Sequence, residues 1–339
     1  MAEIVERPKS LGATAKDIAK RVFRYENTVL SLVLIGLVGV LGVLTGGKAV
    51  SVSNLRNVLV QSSARGMASI GQAFVILTAG IDLTPTGLAL LSTCVGGWLI
   101  SGGSFGALAK GPEWPLPLGL LVVVLIGLGV GAVNGSLVSR VGMPALIVTL
   151  GMWQITRGAA LRVTQGWDIS GLPEGLAFLG QGNIAGVPVP VIIFFVSIAI
   201  AYFVLNHTSF GRSVYAVGGN PVSAWLSGVN VKNTQFIVYV ISGFTATLAG
   251  IILTARAMTA SLFVASNLEL DSIASVVIGG VSLFGGRGSL IGVLIGVMII
   301  GVINNGLNLL GVPHGMTDMV RGGVIVIAVA IDVLRRRRG

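Results

Sequence analysis

The stretch LPLGLLVVVLIGLGVGAVNGSLV, residues 116–138, runs for 23 residues without a single charged side chain. As a helix it would be about 35 Å long, enough to cross the ~30 Å hydrocarbon core of a bilayer. The whole chain has the same character. Of 339 residues 53% are hydrophobic and only 10% charged, and the mean hydropathy is +0.92. Soluble domains carry roughly a quarter charged residues, so the composition specifies an integral membrane protein. The 50 glycines suit helices that pack closely through small residues.

Working outward from 116–138, apolar segments recur at 27–46, 54–79, 83–100, 145–163, 187–205, 234–257, 268–283, 289–308 and 317–334. Ten segments predict an all-α polytopic protein. Polar residues interrupt the second, fifth and eighth, which are therefore candidates for broken or re-entrant helices. The run from Val29 to Leu44 is long and no small-residue cleavage motif follows it, so it reads as a retained first span and not a signal peptide.

Basic residues set the orientation. Arg7, Lys9, Lys16, Lys20, Arg21 and Arg24 precede the first span, and Arg335, Arg336, Arg337 and Arg338 follow the last. Both termini are expected in the cytoplasm, which requires an even number of crossings. Arg140, Arg212, Lys232 and Arg287 then fall on inner loops, and Lys48 and Lys110 on outer ones. Orientation accounts for the net charge of +10, and no nucleic-acid partner is expected. The expected organisation is a cytoplasmic segment 1–26, one transmembrane domain 27–334 with an inner loop at about 206–232, and a basic tail 335–339. LTAGIDLTPTG (77–87) faintly echoes VIGGVSLFGGRG (277–288), and internal repeats are common in transporters.

Catalytic chemistry is sparse. GGKA at 46–49 lacks the spacing and the hydroxyl of a phosphate loop. His207 and His314 stand far apart, and Cys94 is the only cysteine, so no disulfide, metal cluster or catalytic residue is expected. Energy for transport would come from an ion gradient or another subunit. The few ionisable candidates inside spans are Asp82, Arg65 and Arg256, with Glu269 and Asp271 near a span entry. Asp82 precedes Thr84–Pro85, which look like an N-cap and first helical residue; a carboxylate favouring that helix end is preferred to a direct pathway role. Asn304, Asn305 and Asn308 could line a polar path or bridge helices.

One segment differs from the rest. GGNPVSAWLSGVNVK, residues 218–232, reads as a short capped surface helix. Asn220 is a suitable N-cap, Pro221 fits the first turn, and Gly228 can close the helix in the left-handed region. Val222, Trp225, Leu226 and Val229 make one apolar face, opposite Ser223, Ala224 and Ser227. Such a helix could lie in the headgroups or act as a knob docking into another protein, with Trp225 as anchor. Sequence physics leaves both open.

GRSVYAVGGNPVSAWLSGVNVKNTQ resembles the cytoplasmic loop of ribose-type sugar ABC importer permeases. ELDSIASVVIGGVSLFGGRGSLIGVLIG and INNGLNLLGV look like the C-terminal signature of that family, and TAGIDLTPTG is similar to its upstream motif. Pro221, Ser223 and Thr84–Pro85 depart from the usual pattern. The resemblance implies that Gly219, Asn220, Pro221, Ser223, Ala224, Trp225, Ser227 and Gly228 form the coupling helix for a separate cytoplasmic ATPase, which holds the Mg-ATP. This chain would bind no cofactor and would itself be no enzyme. Further partners implied are a second permease chain, an external solute-binding protein and the lipid of a bacterial cytoplasmic (inner) membrane. The implied cargo is a monosaccharide or similar small polar solute. A branched-chain amino-acid or nucleoside importer, or a stand-alone secondary transporter or channel, are the alternatives.

Overall fold

The computed structural model describes residues 26–102 and 111–338. Residues 1–25, in the segment expected to be cytoplasmic, residues 103–110 with Lys110, and Gly339 lie outside the described residues. Thirteen α-helices carry the rest. α1 is Glu26–Leu44, α2 Val52–Leu77, α3 Pro85–Ile100, α4 Leu116–Ser136 and α5 Ala145–Thr164. After the short α6, Glu174–Gln181, a two-strand hairpin (β1, Asn183–Ile184; β2, Val187–Pro188) leads into α7, Val189–His207. α8 is Ser209–Gly219, α9 Pro221–Leu226, α10 Val231–Ala257, α11 Leu268–Ile278, α12 Leu290–Leu309 and α13 His314–Arg338.

Each of the ten apolar segments therefore carries a helix. Five of these, among the described residues, are long and apolar enough to cross a bilayer by length and composition: Asn27–Leu44, Leu116–Val141, Val189–His207, Val231–Ala257 and Leu290–Leu309. Of the three segments expected to be interrupted, α2 and α5 are continuous and only the eighth is broken. α11 stops at Ile278 after 11 residues, about 16 Å of helix, because Gly279 and Gly280 follow and Gly280 takes φ +83°.

α10 lies at the centre. Its Gly243 backs onto the carbonyl of Gly127 on α4, where an added Cβ would come within 2.3 Å of the oxygen. Its Gly250 meets Ala89 of α3 in the same way. Close backbone approach is how helices gain dispersion contacts where lipid removes the hydrophobic drive. Met67, Ile70, Phe74 and Ile76 of α2 fill the core beside Tyr239 and Ile252 of α10 and Val293 and Val297 of α12. On the outside, α4 and α7 expose Leu121, Leu125, Phe195, Val196, Ile200 and Phe203, as lipid-facing surfaces should.

The weak sequence echo has a structural counterpart. α2 ends with Ala79 at φ +61° and a bond from Gly80 N–H to the Val75 carbonyl (3.0 Å). α11 ends with Gly280 at φ +83° and the equivalent bond from Val281 N–H to Val276 (3.2 Å). Both helices thus close with the same left-handed turn, and the loop after α11 returns to the end of α2: Gly286 N–H donates to the Leu77 carbonyl at 2.9 Å.

Candidate functional site

The segment 218–232 folds as a capped helix standing off the body. The Asn220 side-chain oxygen accepts from the N–H groups of Val222 and Ser223, both at 3.0 Å. Pro221 occupies the first turn, where its missing N–H costs nothing. At the other end Gly228 has φ +83°. Its N–H bonds the Trp225 carbonyl, and Val229 N–H reaches back to Ala224, closing the orphan carbonyls.

The sequence left open which face of the helix meets the body. Ala224, grouped with Ser223 and Ser227 opposite the apolar residues, is the residue that turns inward, 4% exposed. Val222, Trp225 and Leu226 point away from the chain at 67%, 67% and 72% exposure. α9 seats against the body through its smallest side chain, and the large apolar ones stay mostly exposed. A groove of about 700 Å³ runs beside it, bordered by Val138 and Gly142 after α4, by Trp225 and Gly228, and by Gln235 of α10.

The base of α9 is held tightly. A Cβ at Gly218 would fall 1.7 Å from the Leu77 carbonyl oxygen and 2.5 Å from Gly286 N. Gly285 and Gly286, both at positive φ, press on Gly218 and Gly219. The Tyr215 hydroxyl donates to the Gly288 carbonyl at 3.0 Å, and burial holds that phenol above its ordinary range. The end of α8 that leads into α9 is thus packed against the end of α2 and the loop between α11 and α12.

Asp82 sits in the break between α2 and α3, buried. One carboxylate oxygen accepts from the Thr84 N–H at 2.8 Å and from the Thr84 hydroxyl. The other accepts from Ser242 of α10 at 2.7 Å. Asn134 of α4 donates to the Thr84 hydroxyl at 2.9 Å. Thr84 is at the cap position of α3 without capping it; its hydroxyl serves this cluster instead. Asp82 thus ties the break to α10 by an Asx-type turn and a tertiary bond. Sequence reasoning placed it at a helix terminus but missed Ser242 and Asn134, single polar residues on distant helices.

The three asparagines separate. Asn305 pairs reciprocally with Asn54 of α2, at 2.8 and 3.0 Å, the interhelical bridge. Asn308 is exposed near the end of α12. Asn304 accepts from Arg321 of α13 at 3.3 Å and so joins a charged cluster the sequence did not assemble. Arg65 and Arg321 flank the buried Asp271 carboxylate at 2.8 and 3.0 Å, and Arg321 also meets Asp318 at 3.3 Å. Ionisable residues on separate spans tend to pair with one another, which was the available signal. Of the two remaining ionisable candidates, Glu269 accepts from the Thr86 hydroxyl of α3, and Arg256 is half-buried in the last turn of α10. Among the described residues no group of His, Cys, Asp and Glu could hold a metal ion.

Residues 54–329 match the family described as "Branched-chain amino acid transport system / permease component". The chain belongs to this family. It is 38% identical over 311 residues to the ribose import permease of Escherichia coli K12, covering 91% of this chain and 92% of that protein. It is 41% identical over 282 residues to the ribose import permease of Bacillus subtilis 168, 82% and 84% of the two chains. A D-allose transport system permease of Escherichia coli K12 is 37% identical over 298 residues, 88% and 89% covered. No solved structure matches. The resemblance to ribose-type permeases read from the motifs accordingly holds along most of the chain. The protein is a multi-pass transport subunit, not an enzyme.

Proposed function

We propose that this permease carries a monosaccharide across a bacterial cytoplasmic membrane, with both termini inside and with energy from a separate ATPase that binds Mg-ATP. α9 is the element that seats in that ATPase. The observation carrying the reading is the combination at α9: caps at both ends, three large apolar side chains that are mostly exposed, and a base packed between the end of α2 and the loop joining α11 to α12. A helix lying in headgroups would have no need of such a base, and basic residues on its polar face would be expected; Ser223 and Ser227 are there instead. A second permease chain completes the path and an external binding protein delivers the solute.

The cargo follows from similarity to permeases named for ribose and D-allose; the amino-acid description attached to the family as a whole carries no residue-level support. The test is reconstitution of the permease with its partner ATPase and binding protein, followed by ATP-dependent uptake of labelled D-ribose, D-allose and leucine. Saturable sugar uptake without leucine uptake is expected. Leucine uptake without any sugar uptake would overturn the assignment of cargo. ATP-independent uptake by the permease alone would overturn the importer mechanism.

A further inference from the structure

α5 is one of the five segment-bearing helices that do not count among those apolar enough to cross, although at 20 residues it is about 30 Å long, the thickness of the hydrocarbon core. The cause is WQITR in its middle, Trp153 to Arg157. Rotation of the helix about its axis is fixed by its inner face. Val148, Thr149, Thr156, Ala160 and Thr164 are buried, Thr149 donates to the Ile81 carbonyl at 3.3 Å, and Thr156 meets Gly87 of α3 closely enough to exclude a Cβ.

That rotation turns Gln154 and Arg157 outward, together with Gly151 and Gly158, which have open space beside them. The Arg157 guanidinium lies 5.7 Å from the centre of the Trp153 ring, and the Trp153 indole N–H is buried without a partner. The outward faces of α4 and α7 at mid-span are aliphatic and aromatic. Among the described residues, α5 is the span whose middle turns expose an amide and a charged side chain. Ile147, Leu150, Ile155 and Leu161 on the same side are exposed as well, but a charge and an amide in the middle turns of a span face protein or a water-filled cavity in preference to hydrocarbon.

We propose that this face of α5 borders the solute path, with Trp153, Gln154 and Arg157 the groups a hydroxylated solute touches as it passes. The chemistry fits a sugar. An indole offers an apolar surface to ring C–H groups, and an amide and a guanidinium offer donors and an acceptor for hydroxyls. The glycines leave room for a solute or for the same face of a second copy across the path. This extends the importer reading and rests on it for the cargo.

Thiol labelling tests it, since the only native cysteine, Cys94, is fully buried. Gln154→Cys and Gly158→Cys are compared with Ile200→Cys, at the middle of the lipid-facing surface of α7. The assembled transporter in proteoliposomes is treated with the cationic reagent methanethiosulfonate-ethyltrimethylammonium. Cysteines at 154 and 158 should react at least about tenfold faster than at 200, since the thiolate is the nucleophile and apolar surroundings suppress it. Modification should also abolish residual sugar uptake. Labelling at the rate of Ile200→Cys, or full modification with uptake unchanged, overturns the proposal. Labelling needs no transport, so failure of the importer reading shows separately, as absence of ATP-dependent uptake by the unmodified wild type.

Discussion

Replacing Trp225 by alanine separates a docking knob from a headgroup helix. The side chain is 67% exposed, so folding loses little; surface substitutions usually stay within about 0.5 kcal/mol. An aromatic side chain can bury about 150–250 Å², and two thirds of that leaves roughly 100–170 Å² free to be covered by a partner. At about 25 cal/mol per Å² the area term is ~2.5–4 kcal/mol. Alanine retains part of it and ordering the side chain costs some of the rest, which brings the expected loss to ~2 kcal/mol, the scale of an interface hot spot. That is roughly a thirtyfold weaker complex. The assay is affinity of detergent-solubilised permease for its purified ATPase, with membrane abundance and uptake measured in parallel. Normal abundance, a roughly thirtyfold rise in Kd and failing uptake are expected. Wild-type affinity together with wild-type uptake would refute the docking role of α9.

Three other outcomes follow from named contacts. Asp82→Asn keeps an oxygen for the Thr84 N–H and hydroxyl and offers its amide to Ser242 Oγ, so the loss should be near 1 kcal/mol with abundance preserved, whereas Asp82→Leu strands all three donors and should deplete the protein; equal damage by the two would contradict the clamp. Asp271→Asn removes the buried anion shared by Arg65 and Arg321 and should cost ~3–5 kcal/mol, seen as a lower unfolding temperature that Arg321→Gln partly restores. No change in that temperature would show the cluster to be incidental. A reporter active only outside the cytoplasm, fused after Gly339, should stay silent if the arginines at 335–338 fix the C-terminus inside; a strong signal would require an odd number of crossings.

Much of the fold was legible because a bilayer demands about 20 apolar residues per crossing helix, and that demand is written locally. Residues 116–138 alone identify the class. The caps of α9 were equally readable, since Asn220, Pro221 and Gly228 act within their own turn of helix. What α9 presents outward was not, because whether Ala224 or Trp225 faces the body depends on the surfaces it meets. The eighth segment looked interrupted and is, but the second and fifth are continuous: a helix tolerates Arg65 when Asp271 arrives from α11, and Arg157 when the surface beside it is not hydrocarbon. Ser242, Asn134 and Arg321 became site residues only through packing, as did the contact of Gly286 with Leu77 across more than 200 residues. Hydropathy and capping are properties of neighbours along the chain and the sequence determines them. Which buried polar groups satisfy one another, and which face of a span is left to water, depends on the placement of whole helices, and only the tertiary structure decides it.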